Sequence, residues 1–213
     1  MVSQRSDGLI LKERNDEILL ELEPDISAQS GKLPILKYKV KDFYDMVTPL
    51  SEDELAFLRD AVAYNSRLAN ATLENRLGAG IGYELYHRDY QNYITRAKAY
   101  AAAGCEARMS GVSHPAMTCG NKGNVGIAAS MPLVSMAKDL NLEEMDLLRG
   151  IALSYLTAIS IIHRIGKAPS MCYCEVAAAL GIAAGAMLMT GGTYEQVAAA
   201  MKHNIPKDRG VVC

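Results

Sequence analysis

Apolar and polar positions follow a strand period near the start of the chain and a helical period over most of the remainder. Residues 9–11 and 18–22 are rich in Leu and Ile and flank the polar run 14–17. Two apolar runs joined by a short polar connection are typical of paired antiparallel strands. The pattern therefore predicts a β-hairpin whose turn is formed by Asn15 and Asp16.

The next segment, residues 24–40, contains two prolines and a glycine, and we expect a loop with one strand over residues 35–40. Beyond residue 50 the apolar spacing predicts helices. Ser51 and Glu54 form a capping box, which begins a helix that runs to about residue 74. The other predicted helices cover residues 90–104, residues 141–163 with Asn141 as N-cap, residues 175–190, and residues 194–205 with Thr193 and Gln196 as the cap.

The composition changes near residue 50 from mixed and charged to Ala-rich, and residues 77–82 form a glycine-rich break between helices. We therefore predict a mainly α fold, in which a small α+β segment over residues 1–48 is joined to a helical domain over residues 49–213. Small residues dominate two stretches, 99–104 and 177–186. Side chains this small favour close helix packing. We expect them to support a functional site through that packing, but not to form the site themselves.

Composition and charge restrict the classes of function. Half of the 213 residues are apolar, which is enough for a sizeable core. The net charge is −2 and the Lys and Arg residues are scattered, which argues against nucleic acid as a main partner. No apolar run approaches the roughly 20 residues of a membrane span, and residues 176–190 come nearest. The first residues contain no apolar signal-peptide core, so we expect a cytoplasmic protein without a membrane partner.

The five cysteines are an odd number in a chain too large to depend on disulfides. In a reducing cytoplasm, clustered cysteines more often bind metal or react than form disulfides. Cys172 and Cys174 lie at a predicted helix start, and Cys213 is far from both in sequence. Two helical residues two positions apart point about 200° apart, so both could ligate one metal only from an irregular segment. Ligation by one cysteine, and burial of these residues as small apolar side chains, both remain open.

Residues 118–126 read TCGNKGNVG and precede a segment with helical spacing. The glycines at positions 120, 123 and 126 permit unusual backbone angles and close approach to a ligand. Free N–H groups at the start of the helix would favour an anion such as a carboxylate or a phosphate. The segment matches neither a Walker loop nor a dinucleotide fingerprint. An anion cradle and an ordinary loop before a helix therefore both remain open.

The segment 106–111 contains a second candidate for anion binding, Arg108. A guanidinium can clamp a carboxylate with two parallel hydrogen bonds. A surface salt bridge with Glu106 is an equally simple account of the same arginine. His114, which precedes a proline, is expected in an extended turn, and His163 is expected at a helix end where its charged form is favoured. Structural roles are the simpler interpretation of both histidines.

Several segments in a fixed order resemble the iron–sulfur-dependent serine dehydratase alpha-chain family, in particular its L-cysteine desulfidase (UPF0597-like) branch. The resemblance covers nearly the whole chain and rests on the order of its pieces. The matching pieces are residues 70–83, residues 107–111, residues 120–123 leading to Pro132, the Cys172/Cys174 segment with its Ala/Gly helix, and residues 191–193.

The resemblance implies a lyase that deaminates L-cysteine or L-serine, its small-molecule partner, to pyruvate and ammonia. It also implies a 4Fe–4S cluster held by three cysteines, with one open iron that acts as a Lewis acid on the leaving hydroxide or sulfide. By position, Cys172 matches the first ligand and Cys213 the second. The third ligand would follow in a further segment. We therefore expect a C-terminally truncated interior portion of a longer protein, with the cluster absent or incomplete.

The same resemblance implies a set of residues that bind the substrate. Gly120, Asn121 and Gly123 match the loop that holds the carboxylate of the amino acid, and Lys122 and Arg108 are further candidates beside it. No residue is assigned as the general base.

Two departures from the family pattern support other functions. Tyr173 stands where the branch usually has Gly, and residues 6–8 read Ser-Asp-Gly where a His-Thr-Asn motif is expected. A non-catalytic domain that binds amino acids or carboxylates without the cluster is therefore an alternative. A helical scaffold that self-associates through apolar faces is a third, and a homo-oligomer fits helices this rich in small residues. A pyridoxal-phosphate enzyme is disfavoured, since no partner for a pyridine nitrogen accompanies Lys122.

Overall fold

A computed structural model of the chain describes residues 2–5, 8–15, 17–22, 33–88, 92–165 and 172–205. Contacts divide the chain into two units, Met1–Pro34 and Ile35–Cys213. Composition alone placed the boundary after residue 48. The helix Val40–Val47 lies on the helical side of the division, because Phe43 and Val47 are buried in the core of that unit.

The N-terminal unit contains a three-stranded antiparallel sheet in the order β1-β2-β3. Its strands are β1 (Val2–Arg5), β2 (Gly8–Arg14) and β3 (Glu17–Glu21). The hairpin between β2 and β3 confirms the predicted one, and Asn15 takes the positive φ of 52° that its turn requires. Strand β1 was not predicted from the sequence.

The second unit is helical, so the prediction of a mainly α fold is confirmed. After a short 3-10 helix, Pro34–Lys37, its described helices are α1 (Val40–Val47), α2 (Glu52–Leu55), α3 (Leu58–Asn75), α4 (Ile81–Tyr86), α5 (Tyr93–Met109), α6 (Gly123–Leu140), α7 (Glu144–Ile165), α8 (Tyr173–Met189) and α9 (Tyr194–Asn204).

Two helix starts predicted from capping boxes are confirmed. The backbone N–H of Ser51 donates to Glu54 over 2.9 Å, and that of Thr193 donates to Gln196 over 2.8 Å. The helix predicted to run from Ser51 to about residue 74 is instead two helices, α2 and α3, separated at residues 56–57.

Two other predictions are wrong. The strand expected over residues 35–40 is a 3-10 helix followed by the start of α1, where the backbone N–H of Lys39 donates to Asp42 over 2.7 Å. Asn141 does not cap α7. It has a φ of 52° and ends α6 instead, and α7 begins at Glu144. Asn is favoured at both helix ends, because its short polar side chain also tolerates the left-handed conformation.

Helix α7 lies at the centre of the helical unit and packs most extensively against α8. Gly150 of α7 faces Gly185 of α8, and a Cβ on Gly185 would overlap the carbonyl oxygen of Gly150. Gly181 also lies against α7, because a Cβ there would lie 2.6 Å from the carbonyl oxygen of Ser154. The expectation that small residues permit close helix packing is therefore confirmed for this pair of helices.

One described helix, α7, is long and apolar enough by composition to cross a membrane. The sequence expectation named residues 176–190 as the nearest candidate, and α7 replaces them. Of the 18-residue apolar window in α7, 61% is buried inside the protein. Burial of this kind is typical of the core helix of a globular domain.

Candidate carboxylate site at the start of helix α6

The chain enters α6 through a two-residue turn. Cys119 and Lys122 exchange both backbone hydrogen bonds, each 3.1 Å long. Between them Gly120 and Asn121 have φ values of 57° and 60°, the positive angles of a tight hairpin turn that favours Gly and Asn. A Cβ on Gly120 would lie 2.9 Å from Ile162 of α7. The turn therefore depends on these residue types and fixes the direction in which α6 begins.

The first turn of α6 has no side chain that caps its backbone N–H groups and no acidic residue, as an anion-binding helix end requires. Lys122 is the N-cap residue but makes no side-chain cap, and the first intrahelical bond runs from the N–H of Gly126 to Lys122 over 3.1 Å. The N–H groups of Gly123, Asn124 and Val125 precede that bond. Among the α-helices of the described residues, α6 alone begins with neither an acidic residue in its first turn nor a side-chain cap bond. Its positive end is therefore open to an anion.

Arg108, in the last turn of α5, lies against this helix start. Its Nη1 donates to the side-chain oxygen of Asn124 over 2.9 Å. A Cβ on Gly123 would overlap the Nε of Arg108 and lie 2.7 Å from its Cζ. Only glycine at position 123 leaves room for the guanidinium here. Two of the segments that the sequence singled out, residues 106–111 and residues 118–126, therefore meet at one point.

The salt bridge between Arg108 and Glu106, left open by the sequence, is not formed. The Glu106 carboxylate instead accepts from the backbone N–H groups of Ile81 over 2.8 Å and Gly82 over 2.9 Å, at the start of α4. In the described part of the chain no carboxylate lies within salt-bridge distance of Arg108. The guanidinium and the positive end of α6 therefore face each other without a negative charge between them, an arrangement that a bound anion stabilises.

A buried polar network supports the loop from behind. Asn65, which is fully buried, accepts from the backbone N–H of Met117 over 3.0 Å and donates to the Ser130 hydroxyl over 3.0 Å. The hydroxyl of Tyr155 donates to the carbonyl of Gly126 over 3.0 Å. A Cβ on Gly126 would overlap the carbonyl oxygen of Met117. The start of α6 is therefore fixed by hydrogen bonds and close contacts on its buried side.

Burial keeps the ionisable groups of this network neutral. Desolvation raises the pKa of the Cys119 thiol to about 12, and the Cys119 Sγ lies 3.6 Å from the carbonyl oxygen of Tyr155. Desolvation also raises the pKa of the Tyr155 phenol. Both groups therefore act as neutral hydrogen-bonding side chains near neutral pH.

Cys172, which the family resemblance implies as a cluster ligand, lies near this site. Cys172 is the N-cap of α8 and is partly buried, and Cys174 lies in the first turn of the same helix. Cys105, in α5, is close to both parts of the site. Burial raises its pKa to about 11 although the nearby Arg108 guanidinium lowers it, and Cys172 adds a smaller increase. The Sγ of Cys105 lies 3.8 Å from the carbonyl oxygen of Asn124.

The described residues do not complete a cluster site. No group of three or more His, Cys, Asp or Glu side chains with metal-binding proximity occurs among them. Of the two predicted ligands, Cys172 is described and Cys213 lies outside the described residues. A 4Fe–4S cluster needs several thiolates, so these residues alone do not fit one.

Sequence reasoning missed three parts of the site. Cys105 precedes Arg108 by three residues on one helix, a spacing that puts both on the same face and that could have identified it. Asn124 was assigned to the loop rather than recognised as the partner of Arg108. The Asn65 network had no local signal, because its members come from distant segments.

Comparisons with known proteins identify the family of the chain. Residues 31–213 match the family described as serine dehydratase alpha chain. A UPF0597 protein of Clostridium tetani is 34% identical over 208 residues, which cover 97% of this chain and 49% of the relative. UPF0597 proteins of Phocaeicola vulgatus and Methanocella arvoryzae are 32% and 34% identical, and cover 93% and 83% of this chain and 47% and 42% of the relatives. The chain therefore spans about half the length of the curated relatives it matches. No solved structure matches it.

Proposed function

Because this chain belongs to the serine dehydratase alpha chain family, we propose that the full-length protein is a lyase that deaminates L-cysteine or L-serine to pyruvate and ammonia. In this proposal the start of α6 binds the carboxylate of the amino acid. The observation that carries it is the Arg108 guanidinium over Gly123, facing a helix start that has no acid of its own.

The substrate carboxylate would lie between the free N–H groups of Gly123 and Asn124 and the guanidinium of Arg108. A carboxylate has two planar acceptor oxygens, so it can accept from a helix start and from a guanidinium together. Asn124 already takes one N–H of Arg108 over 2.9 Å, which holds the guanidinium in position before substrate binds. Gly120 and Asn121 contribute the turn that aims α6, and Lys122 adds a second cation.

The residues proposed to bind the carboxylate do not account for departure of the leaving group. A 4Fe–4S cluster, when bound, supplies a Lewis acid for a departing hydroxide or sulfide. We propose Cys172 as one of its ligands, together with Cys213 and a thiolate from the remainder of the full-length protein. The described residues account for binding of the carboxylate only, so no elimination step is derived from them. A cytoplasmic setting, a homo-oligomer and the absence of nucleic-acid partners stay predictions.

A second candidate function is a carboxylate-binding domain without catalysis. The observation that favours it is that the residues proposed to bind the carboxylate all lie in the described part of the chain, where no group of metal-binding side chains occurs. This domain would bind L-serine, L-cysteine or similar small acids through the same residues and leave them unchanged.

The test uses the full-length protein, loaded with iron and sulfide under anaerobic conditions, with pyruvate formation from L-cysteine and L-serine as the readout. Arg108→Gln is expected to lower kcat/KM by about 10-fold to 100-fold, the range for loss of a charge-assisted hydrogen bond, with unchanged iron content. Arg59→Gln is the matched control, because Arg59 lies outside the proposed site and pairs with Glu52 and with Glu144 at the start of α7.

The outcomes separate the two functions. Equal kcat/KM for Arg108→Gln and the wild type would contradict the assignment of the carboxylate site. If the iron-loaded wild type forms no pyruvate but calorimetry shows Arg108-dependent binding of L-serine, the binding domain replaces the lyase.

A further inference from the structure

The side chains of Lys122 and Tyr173 bring the starts of α6 and α8 into contact. The ammonium of Lys122, the N-cap of α6, lies 4.7 Å from the ring centroid of Tyr173, the first residue of α8. This distance is typical of a cation–π interaction. Both side chains are partly buried. Lys122 belongs to the proposed carboxylate site, and Tyr173 directly follows the proposed cluster ligand Cys172.

We propose that Tyr173 is a positioning residue that holds the Lys122 ammonium beside the carboxylate site, where it serves with Arg108 as a second cation for a small amino-acid substrate. The inference rests on the proposed function, because it needs an anion at the start of α6. It adds Tyr173, a residue of a second helix. The position of Tyr173 in the sequence did not indicate contact with the loop at residues 118–126.

The lysine needs such a partner for a physical reason. Its four-carbon side chain is flexible, and holding it in one conformation costs rotamer entropy. The positive end of α6 and the Arg108 guanidinium both repel a third positive group. Without a favourable contact the ammonium would move into solvent, away from both. The negative face of the Tyr173 ring supplies that contact and keeps the charge near the site.

Three substitutions distinguish the effect of the Tyr173 ring on binding from the effects of its hydroxyl and of its apolar volume. Tyr173→Phe keeps the ring and removes the hydroxyl, and Tyr173→Leu keeps much of the apolar volume and removes the ring. Lys122→Gln removes the cation. Calorimetric titration of the chain with L-serine measures binding, and urea denaturation checks that each variant is folded.

We expect binding by Tyr173→Phe within about twofold of the wild type. Tyr173→Leu and Lys122→Gln are each expected to weaken binding by about twofold to fivefold, the range for one cation–π contact near solvent. The double variant Lys122→Gln/Tyr173→Leu is expected to bind no more weakly than Lys122→Gln alone, since the ring acts through the lysine. The salt dependence of binding should also decrease equally in Tyr173→Leu and Lys122→Gln, a change that a purely structural role would not produce.

Three results would overturn the inference: unchanged binding by Tyr173→Leu, equal losses in Tyr173→Phe and Tyr173→Leu, or losses that add in the double variant. If Tyr173→Leu does not fold, the wild type still decides. Its Lys122 ε-methylene protons should show an upfield ring-current shift by NMR, and normal shifts would disprove the contact. Failure of the proposed function looks different, because then the wild type does not bind L-serine or binds it independently of Arg108.

Discussion

Helices α6 and α8 begin close to each other, yet their first turns differ in charge. Neither N-cap residue, Lys122 or Cys172, forms a side-chain cap bond. The first turn of α8 contains Glu175, which complements the positive helix end. The first turn of α6 contains no acid and has Arg108 against it instead. Under the proposed function, two helix dipoles of the same sense thus take different ligands, a carboxylate at α6 and a thiolate-bound iron–sulfur cluster at α8.

The two helix starts also differ in how they are held. Asn65 and Tyr155 brace the loop before α6 from the buried side. At α8 the first intrahelical bond runs from the N–H of Val176 to Cys172 over 2.9 Å, and the ring of Tyr173 contacts the Lys122 ammonium. Under the proposed function, substitutions in the loop before α6 should therefore change stability and carboxylate binding, and substitution of Cys172 at α8 should change metal content.

The largest expected effect is on stability at α6. Gly126→Ala should lower the free energy of unfolding by about 3 kcal/mol or more, because the new methyl group would overlap the carbonyl of Met117 in a closely packed region. Cys172→Ala, at the start of α8, should lower it by less than about 1 kcal/mol, since the cysteine is only partly buried. Urea denaturation measures both.

The control for Gly126→Ala is Gly111→Ala. Gly111 has a φ of 81°, and a Cβ added there would have no atom within 4 Å, so only backbone strain of about 1 kcal/mol is expected. Equal losses of unfolding free energy in Gly126→Ala and Cys172→Ala would show that the two helix starts contribute equally to stability. That result would contradict the difference described between α6 and α8.

A smaller effect is expected from the thiol behind the α6 loop. Burial raises the pKa of Cys119 to about 12, whereas a thiol in the unfolded chain titrates near about 8.5. Because the folded pKa is the higher one, the stabilisation is complete below about pH 8.5 and is lost as the pH rises towards 12. The free energy of unfolding should fall by about 2.5 kcal/mol between pH 8 and pH 10.5.

Denaturation at several pH values checks this slope, with Cys119→Ala as the comparison variant. That variant should lose most of the slope, and Cys105, whose pKa is raised to about 11, accounts for a further part. An identical slope in Cys119→Ala and the wild type would mean that the thiol behind the loop is not protected by burial.

The smallest stability effect should accompany a clear loss of binding. In Gly123→Ala the new methyl group meets the end of the flexible Arg108 side chain rather than backbone. The guanidinium can move aside at little cost, so stability should change by less than about 1 kcal/mol. L-serine binding should weaken by about tenfold, because the guanidinium leaves the helix start. Calorimetry and urea denaturation together measure both; a large loss of stability with unchanged binding would reverse the roles given to Gly123 and Gly126.

Local sequence signals predicted the parts of the fold that local interactions determine. The turn at Asn15 and the caps at Ser51 and Thr193 were predicted because each depends on residues within a few positions. Asn141 was misplaced because its side chain suits either end of a helix, and here it takes the positive φ of 52° that ends α6. The strand expected at residues 35–40 was wrong for a similar reason, since a short apolar run fits a strand or a helix equally well.

The site was predictable in its pieces but not in its assembly. The loop at residues 118–126 and Arg108 were both identified from residue chemistry, yet no spacing indicated that Gly123 would leave room for the guanidinium. Asn65 is distant from the loop in sequence, so its support could be seen only in the folded chain. Cys213 as a cluster ligand stays a prediction, because it lies outside the described residues.

The central claim is that the start of α6 binds a carboxylate, and an NMR titration of the ¹⁵N-labelled chain with L-serine tests it most directly. The amide signals of Gly123, Asn124 and Val125 should shift in a saturable manner, because their N–H groups have no intrahelical partner. The amide of Gln196, which Thr193 caps at the start of α9, should not move. Absence of shifts at α6, or equal shifts at α6 and α9, would contradict the account.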